Sequence, residues 1–124
     1  MADLVDVEAL LAGWVTDVIG ARPCTMLPAD LAGALPIVQV AAIGGPAERF
    51  ARRPRVDLDC YATTYEAARE LGLRVEDAAL RLRGRRGDAV VQWARVDSGP
   101  ASRPYENPGV HRVGLTISLR VRPA

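Results

Sequence analysis

The sequence predicts an α+β domain: two helices packed on a mixed, mostly antiparallel sheet of four to five strands, in two layers. Three observations carry this reading. Two segments, near residues 7–19 and 65–82, place apolar residues at three- and four-residue steps. Others alternate apolar and polar residues, most plainly 55–61 and 111–122. Stretches rich in Gly and Pro separate them.

Residues 4–20 read as the first helix. Val7, Leu10, Leu11, Trp14, Val15, Val18 and Ile19 form one apolar stripe. Asp3 or Asp6 can cap its start and Gly20 its end. Trp14 is then core or interface. Pro23 and Pro28 bracket Cys24–Leu27, which leaves room for a short strand only. Residues 28–36 read as a loop with at most one helical turn. Residues 37–43 are β-branched and end at Gly44-Gly45-Pro46, so they predict a strand. Residues 46–54 carry three arginines and the only Phe, and read as a loop or a short helix.

In residues 55–61, Val56, Leu58 and Cys60 share one face; Asp57, Asp59 and Tyr61 share the other. Thr63 and Glu66 have the spacing of a capping box for the second helix. Tyr65, Ala68, Leu71, Val75, Ala79 and Leu82 fill its apolar side, with Gly72 as a kink or a close packing point. The basic run 83–88 breaks the pattern. Residues 89–97 read as a strand, and 111–122 as a long one with Val113, Leu115, Ile117, Leu119 and Val121 facing inward.

A chain of 124 residues fits one domain, 1–124. With 49% apolar and 25% charged residues it has the balance of a folded protein. A net charge of +1 demands neither nucleic acid nor an anionic membrane. Every basic residue is Arg, with acids interleaved. Cys24 and Cys60 have no CxxC spacing and read as reduced thiols in strands. No apolar run reaches the ~18 residues of a membrane span. The N-terminus is acidic and lacks a signal-peptide charge pattern, so a protein cytoplasmic at synthesis is expected.

Few residues suggest catalysis. His111 is the only histidine, and no GxSxG accompanies it. Cys24, Cys60 and His111 match no zinc spacing, and no Gly-rich segment has a phosphate-loop form. We therefore expect no metal and no cofactor. Asp57 and Asp59 fall on one strand face, about 7 Å apart. We expect them to pair with arginines of a neighbouring strand. The short basic clusters near 53–55 and 83–86 lack an aromatic platform and read as solvated charge.

Residues 98–112 stand apart. Pro100, Pro104 and Pro108 fix φ and remove backbone donors. Arg103 and Tyr105 are residue types that anchor interfaces. A loop stiffened in this way loses little entropy on docking.

The segments LPIVQVAAIGG, RPRVDLDCYATTYEAARELGLRVEDAAL and SGPASRPYENPGVHRVGLTISLRVR together resemble the tail terminator (tail completion) proteins of long-tailed bacteriophages. The resemblance spans roughly residues 35–122. It rests on Leu35-Pro36 leading a strand, an aspartate-bearing strand running into the second helix, and Gly99-Pro100 followed by Pro104, Asn107-Pro108 and Arg112. It implies a non-enzymatic structural protein of the virion, assembled in the host cytoplasm as a hexameric ring. Such a ring sits at the head-proximal end of the tail, stops tube polymerisation and meets the head-tail connector. Its partners would be copies of itself, the tail tube protein and the connector or stopper protein. DNA would pass through the ring without sequence-specific binding.

Two loops are then candidate contact surfaces. One carries Arg49, Phe50, Arg52 and Arg53; the other spans 98–110 and, with the strand start, carries Arg103, Pro104, Tyr105, Asn107, Pro108 and Arg112. Asp57 and Asp59 are candidate channel-lining residues. The alternatives are a head-completion or stopper protein of the neck, and a small α+β enzyme or ligand-binding module using Asp57, Asp59 and His111.

Overall fold

The computed structural model describes residues 5–124. Helix α1 spans Val7–Trp14 and continues as a wider π turn over Val15–Ile19. Asp6 caps it by accepting from Ala9 N at 3.0 Å, and Gly20 ends it at φ 75°. The helix thus starts later than position 4, and the alternative cap, Asp3, lies outside the described residues. Trp14 is core, at 2% exposure, whereas Val18 sits on the outer side of the widened turn and is exposed.

The strands are β1 (Arg22–Cys24), β2 (Ile37–Ala42), β3 (Arg55–Ala62), β4 (Gly84–Arg86), β5 (Ala89–Ser102) and β6 (His111–Pro123). They form one curled sheet in the order β1-β2-β3-β6-β5-β4, with β1–β2 parallel and every other pair antiparallel. The sheet is therefore mixed and mostly antiparallel as expected, but it has six strands rather than four or five. The extra strand is β4, in the basic run that sequence patterning treats as a break. Arg85 and Arg86 pair with Val90 and Ala89 across a tight hairpin, and so need no apolar side chain of their own.

Helix α2 spans Tyr65–Ala79. Its cap is Thr64, which accepts from Ala67 N at 3.1 Å, one residue later than the Thr63–Glu66 spacing suggests. Ala68, Leu71, Gly72, Val75, Ala78 and Ala79 are its buried side. Tyr65, expected there, lies in the first turn and is exposed. Gly72 is a close packing point: a Cβ there would meet Val113 Cγ1 at 3.0 Å.

Both helices cover one sheet face. Leu11, Trp14 and Val15 meet Val38, Val40, Val56, Leu58, Leu115, Ile117 and Leu119 in the main core. Each such fully buried side chain contributes roughly 1.5–3 kcal/mol. The other face carries a second, smaller core. Ile37 and Tyr61, opposite one another on β2 and β3, are covered by Leu31, Ala34 and Val110 from two loops. Residues 28–36 contain the single helical turn anticipated, at Ala32–Ala34.

Strand β5 is longer than its apolar pattern. Its register with β6 slips between Ser98 and Ala101, so Gly99 and Pro100 bulge out and pairing resumes to Ser102. A bulge accommodates a proline that cannot donate. The unpaired connection is therefore 103–110, not the whole of 98–110. No helix among the described residues is long and apolar enough to cross a membrane.

Candidate functional site

The polar face of the sheet is built by alternation. On β3 and β6, Asp57, Asp59, Thr116 and Ser118 project opposite the core, because Leu58, Cys60, Leu115 and Ile117 project into it. Asp59 pairs across the strands with Gly114, which has no side chain. Arg103, from the loop after β5, fills that space. A Cβ on Gly114 would lie 2.7 Å from both Cδ and Cζ of Arg103.

Arg103 binds both aspartates. Its Nη1 donates to Asp59 Oδ1 at 2.9 Å and lies 3.6 Å from Asp57 Oδ1. Its Nη2 donates to Thr116 Oγ1 at 3.3 Å, and that hydroxyl donates to Asp57 at 2.6 Å. The expected Asp–Arg pairing is present, with the cation supplied by a loop rather than a strand. Burial pushes the Asp59 carboxyl above its ordinary value, against the opposing pull of Arg103 and Arg112. Burial also pushes the Cys60 thiol up to about 12.

Arg112, at the start of β6, holds the rest of the loop. Its Nε donates to the Arg103 carbonyl at 3.1 Å and its Nη2 to the Pro104 carbonyl at 2.8 Å. The Arg112 guanidinium lies 5.5 Å from the Tyr105 ring centre and 5.9 Å from that of Tyr61. The two tyrosines meet edge-to-face, with centroids 5.5 Å apart. Asn107 Oδ1 accepts from Gly109 N at 2.9 Å, which closes the tip. Arg103, Tyr105 and Arg112 are thus engaged within the chain, while Pro104, Asn107 and Pro108 face outward.

The other loop, 43–54, is organised differently. Arg52 forms backbone hydrogen bonds of 2.8 Å in both directions with Val121, which ties the loop to the end of β6. Glu48 accepts from Arg53 at 2.9 Å and from Arg120 at 3.0 Å. These contacts leave Phe50 at 73% exposure, with the Arg49 guanidinium 5.1 Å from its ring centre. Among the described residues, neither Arg49 nor Arg52 has a carboxylate partner.

His111 lines a shallow depression of about 210 Å³ beside the Pro-rich loop. Asp57 and Asp59 do not line it, so the three candidate groups of an enzymatic reading are not brought together there. The described residues contain no cluster of three metal-ligating side chains. The chain matches no known family model and no curated protein.

Sequence patterning misses part of the polar face. Ser118 donates to Asp97, which also pairs with Arg95 at 3.0 Å. Arg120 bonds Gln92 as well as Glu48. The only signal was the alternation of Thr116, Ser118 and Arg120 along β6. The partners of Ser118 and Arg120 lie on β5 and on a loop distant in sequence, and Thr116 donates to Asp57 on β3.

Proposed function

We propose that this chain is a structural tile of a phage tail. Six copies form a ring on the head-proximal end of the tail tube, stop its growth and present a new surface to the head-tail connector. The observation that carries the reading is the clasped Pro-rich loop. Arg103 and Arg112 fix it to the sheet through four hydrogen bonds, two from Arg103 to Asp59 and Thr116 and two from Arg112 to the carbonyls of Arg103 and Pro104. Its outward residues Pro104, Asn107 and Pro108 therefore form a pre-set contact surface, which loses little entropy on binding.

The resemblance over residues 35–122 supports the same assignment. So does the pairing of this fixed loop with a second, exposed one around Phe50. A ring requires unlike patches on each subunit, in contact head to tail. Asp57 and Asp59 would face the channel with one of their two charges offset by Arg103, so passing DNA would meet a weakly acidic wall that does not grip it.

Electron microscopy of assembled particles tests the assignment. Density for six copies at the collar between tube and capsid is the expected result. Copies elsewhere in the particle, or particles without any, would refute it. A neck stopper is distinguished by phenotype, because its loss gives heads that leak DNA while tails keep their length.

A further inference from the structure

We propose that the exposed ridge of α2 docks into the Phe50 cleft of a second copy of this chain. The inference rests on the ring reading above and names the two patches that would meet. The cleft, about 390 Å³, lies between loop 43–54 and the end of β6, with Phe50, Val121 and Pro123 among its lining residues. Arg49, Arg52 and Arg122 stand around it. None of the three is paired with a carboxylate among the described residues. Glu48 also lines it but is already bonded to Arg53 and Arg120, so the cleft is an apolar patch with a net basic rim.

The outer side of α2 is its complement. Glu66, Glu70, Leu73, Asp77 and Leu80 follow one another at steps of three or four residues. At 3.6 residues per turn they fall within an arc of about 80°. That arc lies opposite Leu71, Val75 and Ala79, which face the sheet. Leu73 is 41% exposed and Leu80, just past the helix, is 63% exposed. Asp77 is held by Arg81 at 2.6 Å, while Glu66 and Glu70 have no salt-bridge partner among the described residues.

Exposed leucines flanked by Glu66 and Glu70, without cation partners among the described residues, match an exposed Phe flanked by guanidinium groups without carboxylate partners there; Arg69 and the Asp77-bound Arg81 lie at the edges of the ridge. Apolar burial would supply affinity, and the opposite charges would fix register and exclude wrong pairings. The patches share no residue, so the contact is head to tail and leaves one free cleft and one free ridge on each growing assembly. That is the arrangement a closed ring needs.

The test uses the full chain and two surface variants, R49E/R52E in the cleft and E66R/E70R on the ridge. Urea midpoints near that of the parent confirm that each folds. Sedimentation velocity over a concentration series reads self-association. The parent is expected to associate, and each variant alone to associate at least roughly tenfold more weakly, since like charges then face each other. Mixing the two variants is expected to restore association, with the variants alternating, because each cleft then meets a ridge of opposite charge. A parent that stays monomeric, variants that associate like the parent, or a mixture that gains nothing would each overturn the contact. The tail-end assignment is read separately, from where the chain sits in particles, so either can fail without the other.

Discussion

Arg103 reaches from the Pro-rich loop across the bare backbone of Gly114 to Asp59, where its Nη1 donates at 2.9 Å to Oδ1. One guanidinium thereby joins loop, β6 and β3. The contact is mostly removed from water, with the Arg103 and Asp59 side chains 29% and 14% exposed. It sets both the shape of the loop and the electrostatics of the face beneath it.

Replacing Arg103 with Met leaves the Asp59 carboxylate half-buried without its cation. We expect a loss of about 1–3 kcal/mol, read from urea denaturation. Asp59→Asn in the same background is expected to recover part of that loss, because a neutral amide needs no counter-charge. Equal and additive losses from the two substitutions would mean that the pair is not coupled.

Gly114→Ala tests the packing of the same guanidinium. The new Cβ would displace Arg103 and crowd Asp59. A cost of about 1–3 kcal/mol is expected in the parent chain. The cost is expected to shrink but not vanish once Arg103 is Ala, since the crowding of Asp59 remains. An undiminished cost would place the strain at Asp59 rather than at Arg103.

Two buried acids give the stability a pH dependence of definite sign. The folded chain holds the Cys60 proton more tightly than the unfolded chain does, because burial raises that thiol from 9.0 to about 12. Stability is therefore expected to fall as the pH rises above about 9, by up to ~1.4 kcal/mol per unit until the folded value is passed. The Asp59 carboxyl, also raised by burial, adds a smaller fall through and just above the ordinary carboxylate range. Cys60→Ala should flatten the alkaline limb, and Asp59→Asn the acid one. Thiol labelling offers a parallel check, with half-exposed Cys24 reacting in the native chain and Cys60 only after unfolding.

Phe50→Ser should separate assembly from folding. The ring is 73% exposed and lies outside the buried clusters. We expect the unfolding free energy to change by less than about 0.5 kcal/mol. Attachment to purified tail tubes, read by co-sedimentation, is expected to weaken clearly. Arg103→Ala and Tyr105→Ala are expected to weaken attachment too, but with a loss of stability, because both side chains also hold the loop.

The fold was legible wherever a periodic pattern coincided with burial. Alternation placed Val56, Leu58 and Cys60 in the core and Asp57 and Asp59 on the opposite face, and the stripe from Val7 to Ile19 located α1. It failed where pairing needs no side-chain pattern. Arg85 and Arg86 form β4 by pairing with Val90 and Ala89, without any apolar alternation. Beyond Ser98, Gly99 and Pro100 read as a loop, but the strand continues past them through a bulge. Tyr61, grouped with the polar face, is buried because two loops distant in sequence close over it.

The candidate contact loops were legible as loops, but the assignment of their side chains was not. Arg103, Tyr105 and Arg112 have the composition of an interface, and composition does not distinguish a partner from the chain's own sheet. The outer side of α2 gave no signal, because two leucines among acids read as an ordinary solvated helix face. The role proposed for it rests on the arginines around the Phe50 cleft, which have no carboxylate partner among the described residues.

The tail-length distribution of particles assembled without this chain tests the central claim most directly. If the chain is the tile that ends the tube, its absence should give tubes that overrun their normal length and fail to join heads, and supplying the protein should restore both. Tails of normal length, joined to heads in its absence, would contradict the account.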